Sequence, residues 1–139
     1  MKKQDITENQ AKKVYLALGS NLGNKRKNLE LAKYKLNISG INILKTSRFY
    51  LTKSWPNKKF PDYYNLILLV KTKLNLVDLF KKIKFIEKYI GRKDSPKNHP
   101  RVCDIDIIDF NKECLCISYF NNKINVPHIS LHKRNFVLI

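Results

Sequence analysis

Apolar and polar positions along the chain switch between two periods. Val14 to Leu18 is a short apolar run. It leads into Gly19-Ser20-Asn21-Leu22-Gly23-Asn24, which predicts a strand, a tight turn and a helix cap at Asn24. From about Lys25 to Leu36, the residues Leu29, Ala32 and Leu36 fall on one helical face. Ile41 to about Thr52 reads as a second strand. A polar stretch, Lys53 to Asp62, carries two prolines and the only tryptophan and precedes a long apolar strand, Tyr64 to Thr72. Asn75 then caps a second helix, with Asp78 in its first turn. Leu76, Leu79, Phe80, Ile83, Ile86 and Ile90 recur at helical spacing, and Gly91 ends that helix. Arg92 to His99 is a polar loop, and Pro100 to Ile108 an apolar, β-branched strand entered from a proline. Asn111-Lys112-Glu113 reads as a turn and Cys114 to Ile117 as a short strand. One helical turn is expected over Leu131 to Asn135.

The order strand, helix, strand, strand, helix, strand predicts a ferredoxin-like α+β sandwich of βαββαβ type. Its antiparallel sheet would carry both helices on one face and leave the other for a ligand. One domain is expected over residues 14–139, after a disordered extension over residues 1–13.

Composition changes this picture little. At 43% hydrophobic and 11% aromatic the chain is globular, and no apolar run approaches a membrane span. Met1 to Lys12 is polar and lacks an apolar signal-peptide core, so the expectation is a cytoplasmic protein with no membrane partner. Cys103 opens a strand, and Cys114 and Cys116 lack the second pair that a zinc site needs, so all read as reduced thiols. Charge adds more. With 28 Lys and Arg against 11 Asp and Glu, the net charge is +17, which suits an anionic partner. The excess is mostly lysine spread along the whole chain, which equally suits a biased composition.

Candidate chemistry centres on Asp104 and Asp106. Alternation along a strand puts both on one face and Ile105 and Ile107 on the other. Neighbouring carboxylates repel, and a hard cation such as Mg²⁺ between them relieves this. An exposed strand end with solvated charges is the plainer reading. Arg101, three residues upstream, favours a phosphate-rich ligand that bridges metal and cation. Glu87 lies in or at the edge of the second helix's apolar stripe, either as a core ion pair or facing the same cation-rich cleft. The Gly19 to Asn24 turn matches neither GxxxxGK[ST] nor GxGxxG, so a structural turn is preferred to a phosphate cradle.

Several stretches together resemble the 6-hydroxymethyl-7,8-dihydropterin pyrophosphokinase family. They are Ala17-Leu18-Gly19-Ser20-Asn21-Leu22-Gly23 with Asn28-Leu29, Ser47 to Thr52, and Pro61-Asp62-Tyr63-Tyr64-Asn65. Glu87, Gly91-Arg92, Pro100-Arg101 and Asp104 to Ile107 follow, then Val126-Pro127-His128 and Arg134 to Leu138. The resemblance implies an ATP-dependent enzyme of folate biosynthesis. It would move the pyrophosphoryl group of ATP to the hydroxymethyl of the pterin and release AMP. It implies that Asp104 and Asp106 hold two Mg²⁺ ions, and that Glu87, Arg92, Lys97, Arg101, Ile107, His128 and Arg134 line the ATP site. Arg92, Arg101, Asp104 and Asp106 would be catalytic. Thr52, Trp55, Tyr63, Asn65 and Phe136 would hold the pterin, with Tyr63 and Phe136 stacking on its two faces. The chain departs from the family at Lys53-Ser54 and Lys97-Asn98. The family pattern continues past Ile139, so the domain is expected to be short at its C-terminus. A monomer is expected. The competing readings are a nucleic-acid-binding module of the same fold class and a nucleotide-binding relative without catalysis; neither nucleic-acid strand motifs nor clustered sheet aromatics support the former.

Overall fold

The computed structural model describes residues 10–54, 56–92, 99–119 and 122–126. Its first strand, β1 (Lys12–Ser20), starts before the expected Val14 and runs past Leu18. Lys12 belongs to the fold: its buried ammonium donates to the carbonyls of Gln10 and Lys73. Helix α1 (Lys25–Ile38) is capped by Asn24, whose side chain accepts from the Lys27 N–H, and buries Leu29, Ala32 and Leu36 as the periodicity requires.

The expected strand from Ile41 to Thr52 is two strands, β2 (Asn42–Thr46) and β3 (Tyr50–Thr52), both paired with β4 (Tyr63–Thr72). The cause of the break is Ser47. Its N–H donates to the Ile67 carbonyl at 2.9 Å, while its hydroxyl accepts from the Ile67 N–H at 2.8 Å. A side chain thus stands in for the backbone carbonyl, and regular pairing stops there.

Helix α2 (Leu76–Ile90) is capped by Asn75, which accepts from the Asp78 N–H at 2.8 Å. Gly91 closes it at φ 124°, with the Gly91 and Arg92 N–H groups donating back to Lys88 and Glu87 carbonyls. This glycine-closed end allows the chain to reverse at once, and it sets Arg92 beside Glu87. Strand β5 (Asp104–Phe110) follows.

Strands β1 and β2 both run antiparallel to β4, and β4 and β5 both antiparallel to β1. The sheet order β2-β4-β1-β5 therefore joins two interleaved strand–helix–strand units, the ferredoxin-like α+β arrangement. Val14, Leu16, Leu18, Leu66, Leu68 and Val70 pack from the central strands against Leu29, Leu36, Leu79, Ile83 and Ile86 of the helices. Truncating one of these, Ile83→Ala for example, costs about 2–5 kcal/mol through lost contact and the cavity left behind.

A bulge interrupts the β1–β5 register, since Tyr15 pairs with Asp109 and Leu16 with Ile107. Ile108 is the extra residue, and it shifts the alternation so that Phe110 returns to the core. The expected turn at Asn111-Lys112 has both residues at positive φ, 53° and 59°, with the Glu113 N–H donating to the Phe110 carbonyl. The short strand expected over Cys114 to Ile117 is half of a hairpin, β6 (Leu115–Tyr119) and β7 (Asn122–Val126). Ile124 and Val126 return from it to the core. The helical turn expected over residues 131–135 lies outside the described residues.

Candidate active site

The second face of the sheet carries the candidate site. Residue 19 is a glycine on the central strand, opposite Asn65 of β4 on one side and Asp104 of β5 on the other. One row therefore runs Asn65, Gly19, Asp104 across three strands, and strand spacing puts its ends about 10 Å apart. The next row is Ile67, Ala17, Asp106. Gly19 and Ala17 thus put small residues of β1 between the amide and the carboxylates. A Cβ on residue 19 would stand 3.1 Å from Asn65 Oδ1 and 3.2 Å from Tyr63 Cδ1, so the glycine is there for space.

Asn65 is buried and its orientation is set by its surroundings. Its amide nitrogen donates to Thr52 Oγ1 at 2.8 Å and lies 3.2 Å from the Tyr50 and Tyr63 carbonyls. The donor end is thus spent on β3 and β4, and the carbonyl end is turned to the Gly19 side. Thr52 and Tyr63, both expected near a flat ligand, meet Asn65 here.

Of the two alternatives for Glu87 the structure has the core ion pair: the side chain is buried and is joined to Asp104 through Arg92. Its side chain is 2% exposed. One oxygen accepts from Lys84 Nζ at 3.1 Å; the other accepts from Arg92 Nη1 and from the Ile105 N–H, each at 2.8 Å. Burial pushes its carboxyl pKa up, with Lys84 and Arg92 pulling it back and Asp104 adding to the rise. Every neighbour donates and none accepts, which is the pattern of a carboxylate. Burial acts to lower the Arg92 pKa, but Glu87 and Asp104 more than offset this, so the guanidinium stays charged.

Arg92 Nη1 also donates to Asp104 Oδ1 at 3.0 Å. The end of α2 is thereby bound to the start of β5 at two points, the Ile105 backbone and the Asp104 side chain. Asp104 and Asp106 are both half-buried on the open face, with Ile105 and Ile107 beneath them in the core, as alternation predicts. Ile107 can meet a ligand only through its backbone. That backbone points, two residues along, to the same outer edge as the Ile105 N–H. Cys103 is fully buried beside this cluster, and burial pushes its thiol pKa up, so it is a neutral packing residue. Cys114 and Cys116 are exposed free thiols.

Arg101 is half-buried and its backbone is fixed by Asn21, a residue of the turn after β1. Asn21 is fully buried, and its side chain accepts from the Arg101 N–H at 2.7 Å and donates to the Pro61 carbonyl at 3.1 Å. A buried asparagine just after a strand is the only local signal; its partners lie 40 and 80 positions away. The Gly19–Asn24 turn is otherwise held from the first turn of α1, with Asn28 Nδ2 donating to Ser20 Oγ and the Leu22 carbonyl. Trp55, Lys97, His128, Arg134 and Phe136 lie outside the described residues.

Among the described residues no group of three or more His, Cys, Asp and Glu side chains gathers to hold a metal. Asp104 and Asp106 supply two carboxylates only, which fits an oxygen-seeking Mg²⁺ that completes its shell with phosphate and water. A surface hollow of about 430 Å³ lies elsewhere, at the start of α2 and the turn before it, lined by Leu74, Asp78, Lys81, Lys82 and Phe85. No described helix is long and apolar enough to cross a membrane.

Fold and site together define a ferredoxin-like domain whose open sheet face sets an amide-and-aromatic patch beside a carboxylate–arginine cluster. The model of the family described as 7,8-dihydro-6-hydroxymethylpterin-pyrophosphokinase matches residues 15–139, and the chain belongs to that family. The 2-amino-4-hydroxy-6-hydroxymethyldihydropteridine pyrophosphokinase of Aquifex aeolicus is 37% identical over 123 residues, 88% of this chain and 74% of the relative. The folic acid synthesis protein fol1 of Pneumocystis carinii is 35% identical over 138 residues, 99% of this chain, which spans 18% of that protein's length. The chain likewise spans 28% of the folate synthesis bifunctional protein of Chlamydia trachomatis, at 35% identity. A crystal structure of wild-type Plasmodium falciparum HPPK-DHPS with pterin and p-hydroxybenzoate matches with a TM-score of 0.71 at 15% identity, covering 94% of this chain and 39% of that one. At that identity the likeness is one of fold. The family match does not favour the nucleic-acid module.

Proposed function

We propose that the protein transfers the pyrophosphoryl group of ATP to the hydroxymethyl of 6-hydroxymethyl-7,8-dihydropterin, as a step of folate biosynthesis. The hydroxymethyl oxygen attacks the β-phosphorus of ATP. The bond from that phosphorus to the α,β-bridging oxygen breaks, AMP leaves, and the hydroxyl proton is released. The observation that carries this reading is the row Asn65, Gly19, Asp104, in which an amide suited to a ring edge and a carboxylate suited to a metal stand on either side of a glycine.

Each residue then has a task. Asn65 Oδ1 accepts a hydrogen bond from an N–H of the pterin edge, held in that orientation by Thr52. Tyr63 stacks on the ring, and by the family resemblance Phe136 covers its other face and Trp55 adds apolar cover. Asp104 and Asp106 are the residues to hold two Mg²⁺ ions, which when bound would neutralise phosphate oxygens as Lewis acids. Arg92 and Arg101 place fixed positive charge where the transferred group gathers negative charge. Glu87 holds Arg92 in place. Lys97, His128 and Arg134 are assigned to the triphosphate and nucleotide by the resemblance, and Ile107 to the nucleotide through its backbone. A cytoplasmic monomer completes the proposal; the free cysteines suit a reducing compartment.

The test is a steady-state assay of the purified protein with ATP and Mg²⁺, with and without the reduced pterin. AMP should appear only with the pterin, and without matching ADP. ADP as the product, or AMP independent of the pterin, would overturn the assignment. A nucleotide-binding relative without catalysis would bind ATP and form neither.

A further inference from the structure

The Cys114-Leu115-Cys116 motif has no task in the proposed active site. It lies where β6 begins. Glu113 is bridged to Phe110 and Leu115 pairs with Val126 of β7, so Cys114 stands between two sheet-paired residues. Leu115 packs against the core, while Cys114 and Cys116 on either side of it are exposed free thiols. Two residues apart on an extended chain, they point the same way. Ile124 and Val126 of β7 also turn to the core. The outer face of the hairpin therefore carries Asn125, opposite Cys116, and Lys123, opposite Ser118.

Strand geometry decides what two thiols so placed can do. Their Cβ atoms are about 6.6 Å apart, twice the rise per residue. A disulfide needs Cβ atoms about 3.5–4.5 Å apart, so the pair cannot close on itself without breaking the strand. A metal bridge has a longer span. Two thiolate bonds of about 2.3 Å hold the sulfurs up to about 4.6 Å apart, and each sulfur then leans inward by only about 1 Å. Among the described residues no third His, Cys, Asp or Glu joins the pair, whereas Zn²⁺ in a structural site takes four ligands. Two soft donors alone suit Cu(I). Lys123 is a diagonal neighbour of Cys116 on the same face. Its positive charge favours the thiolate and offsets the negative charge of a Cu(I) dithiolate.

We propose that Cys114 and Cys116 form a two-sulfur site for a soft monovalent cation, Cu(I), on the outer face of the β6–β7 hairpin. The site is independent of the pyrophosphokinase reading. Each S–H gives its proton to solvent, two S–Cu bonds form, and copper stays Cu(I), so binding needs no oxidant or reductant.

The experiment uses the full chain, reduced and kept anaerobic, with Cu(I) supplied as its bicinchoninate complex. The wild type should take one Cu(I) per chain from that chelator. Native thiol titration should then fall from two reactive groups per chain to none, since the third cysteine, Cys103, is fully buried. X-ray absorption should show two sulfurs on each copper. Cys114→Ser and Cys116→Ser should each weaken binding by about a hundredfold or more, because the second thiolate acts at the high effective concentration of a joined ligand. Both positions are exposed, so melting curves of the serine variants should match the wild type. Thiol protection and the sulfur count are read on the wild type, and they decide the matter even if a variant fails to fold. Copper held at wild-type affinity by the folded double variant overturns the proposal, as does a wild type that leaves copper with the chelator. One Cu(I) per two chains, with elution at twice the monomer mass, would mean an ion shared between copies and would overturn the intrachain site.

Discussion

Arg92 Nη1 stands 3.0 Å from Asp104 Oδ1 and 2.8 Å from Glu87 Oε2, so one guanidinium nitrogen joins the end of α2 to the carboxylate that opens β5. Lysine keeps the charge but carries it on a flexible stem with freely rotating donors, so it does not fix the bridge as the planar guanidinium does. Arg92→Lys should therefore lower kcat/KM by roughly tenfold or more, with a smaller effect on thermal stability. Steady-state kinetics beside a melting curve checks this. Unchanged kinetics would mean that the arginine only fastens the helix end.

Glu87 and Lys84 separate a buried role from an exposed one. Glu87→Gln removes the charge that two cations and the Ile105 N–H share, and should cost about 1–3 kcal/mol, with activity falling as Arg92 loosens. Lys84 is 41% exposed, and its ion pair with Glu87 is worth little in water; Lys84→Ala should change stability by less than about 1 kcal/mol. Equilibrium denaturation of both variants tests the ranking, and equal losses would contradict it.

The ring-binding assignment is tested at Tyr63. Tyr63→Ala should weaken pterin binding by about 1–3 kcal/mol through lost stacking and buried area. ATP-analogue affinity should hold nearly constant, and equal loss of both ligands would recast Tyr63 as scaffold. Direct binding titrations of each ligand supply the comparison.

Gly19→Ala probes the same floor from below. The added methyl would press on Asn65 Oδ1 at 3.1 Å and on the Tyr63 ring at 3.2 Å. Residue 19 is in a regular strand, so the backbone accepts alanine and the cost falls on the two site residues. Pterin KM should rise several-fold while the melting temperature changes by only a few degrees. A normal pterin KM in this variant would show that Asn65 and Tyr63 can shift without consequence.

How far the sequence reaches is seen element by element. Asn24, Asn75 and Gly91 are local signals: both helices begin, and α2 ends, where they stand. The alternation of Asp104 and Asp106 against Ile105 and Ile107 placed the carboxylates on the open face, as found. Ser47 lies in the polar stretch Lys45 to Arg48, which gives no sign that its hydroxyl accepts from the Ile67 N–H, 20 positions away, in place of a backbone carbonyl. The Ile108 bulge was hidden for a similar reason, since two adjacent isoleucines look the same whether or not one is an extra residue in the ladder. Glu87 was ambiguous because its helical position does not reveal that the Ile105 N–H, 18 positions on, will point at it. The β6–β7 hairpin was half seen, its second strand being short and polar. Each miss is a partner chosen by tertiary packing.

The central claim is that Asp104 and Asp106 support transfer of an intact pyrophosphoryl group to the pterin. Phosphorus NMR of a mixture of ATP, Mg²⁺, reduced hydroxymethylpterin and protein reads the products directly. The wild type should convert ATP to AMP and pterin diphosphate in equal amounts. The double variant Asp104→Asn, Asp106→Asn, with its melting temperature near that of the wild type, should be slower by at least about three orders of magnitude. Absence of pterin diphosphate with the wild type, or its formation at a comparable rate by the folded double variant, would contradict the account.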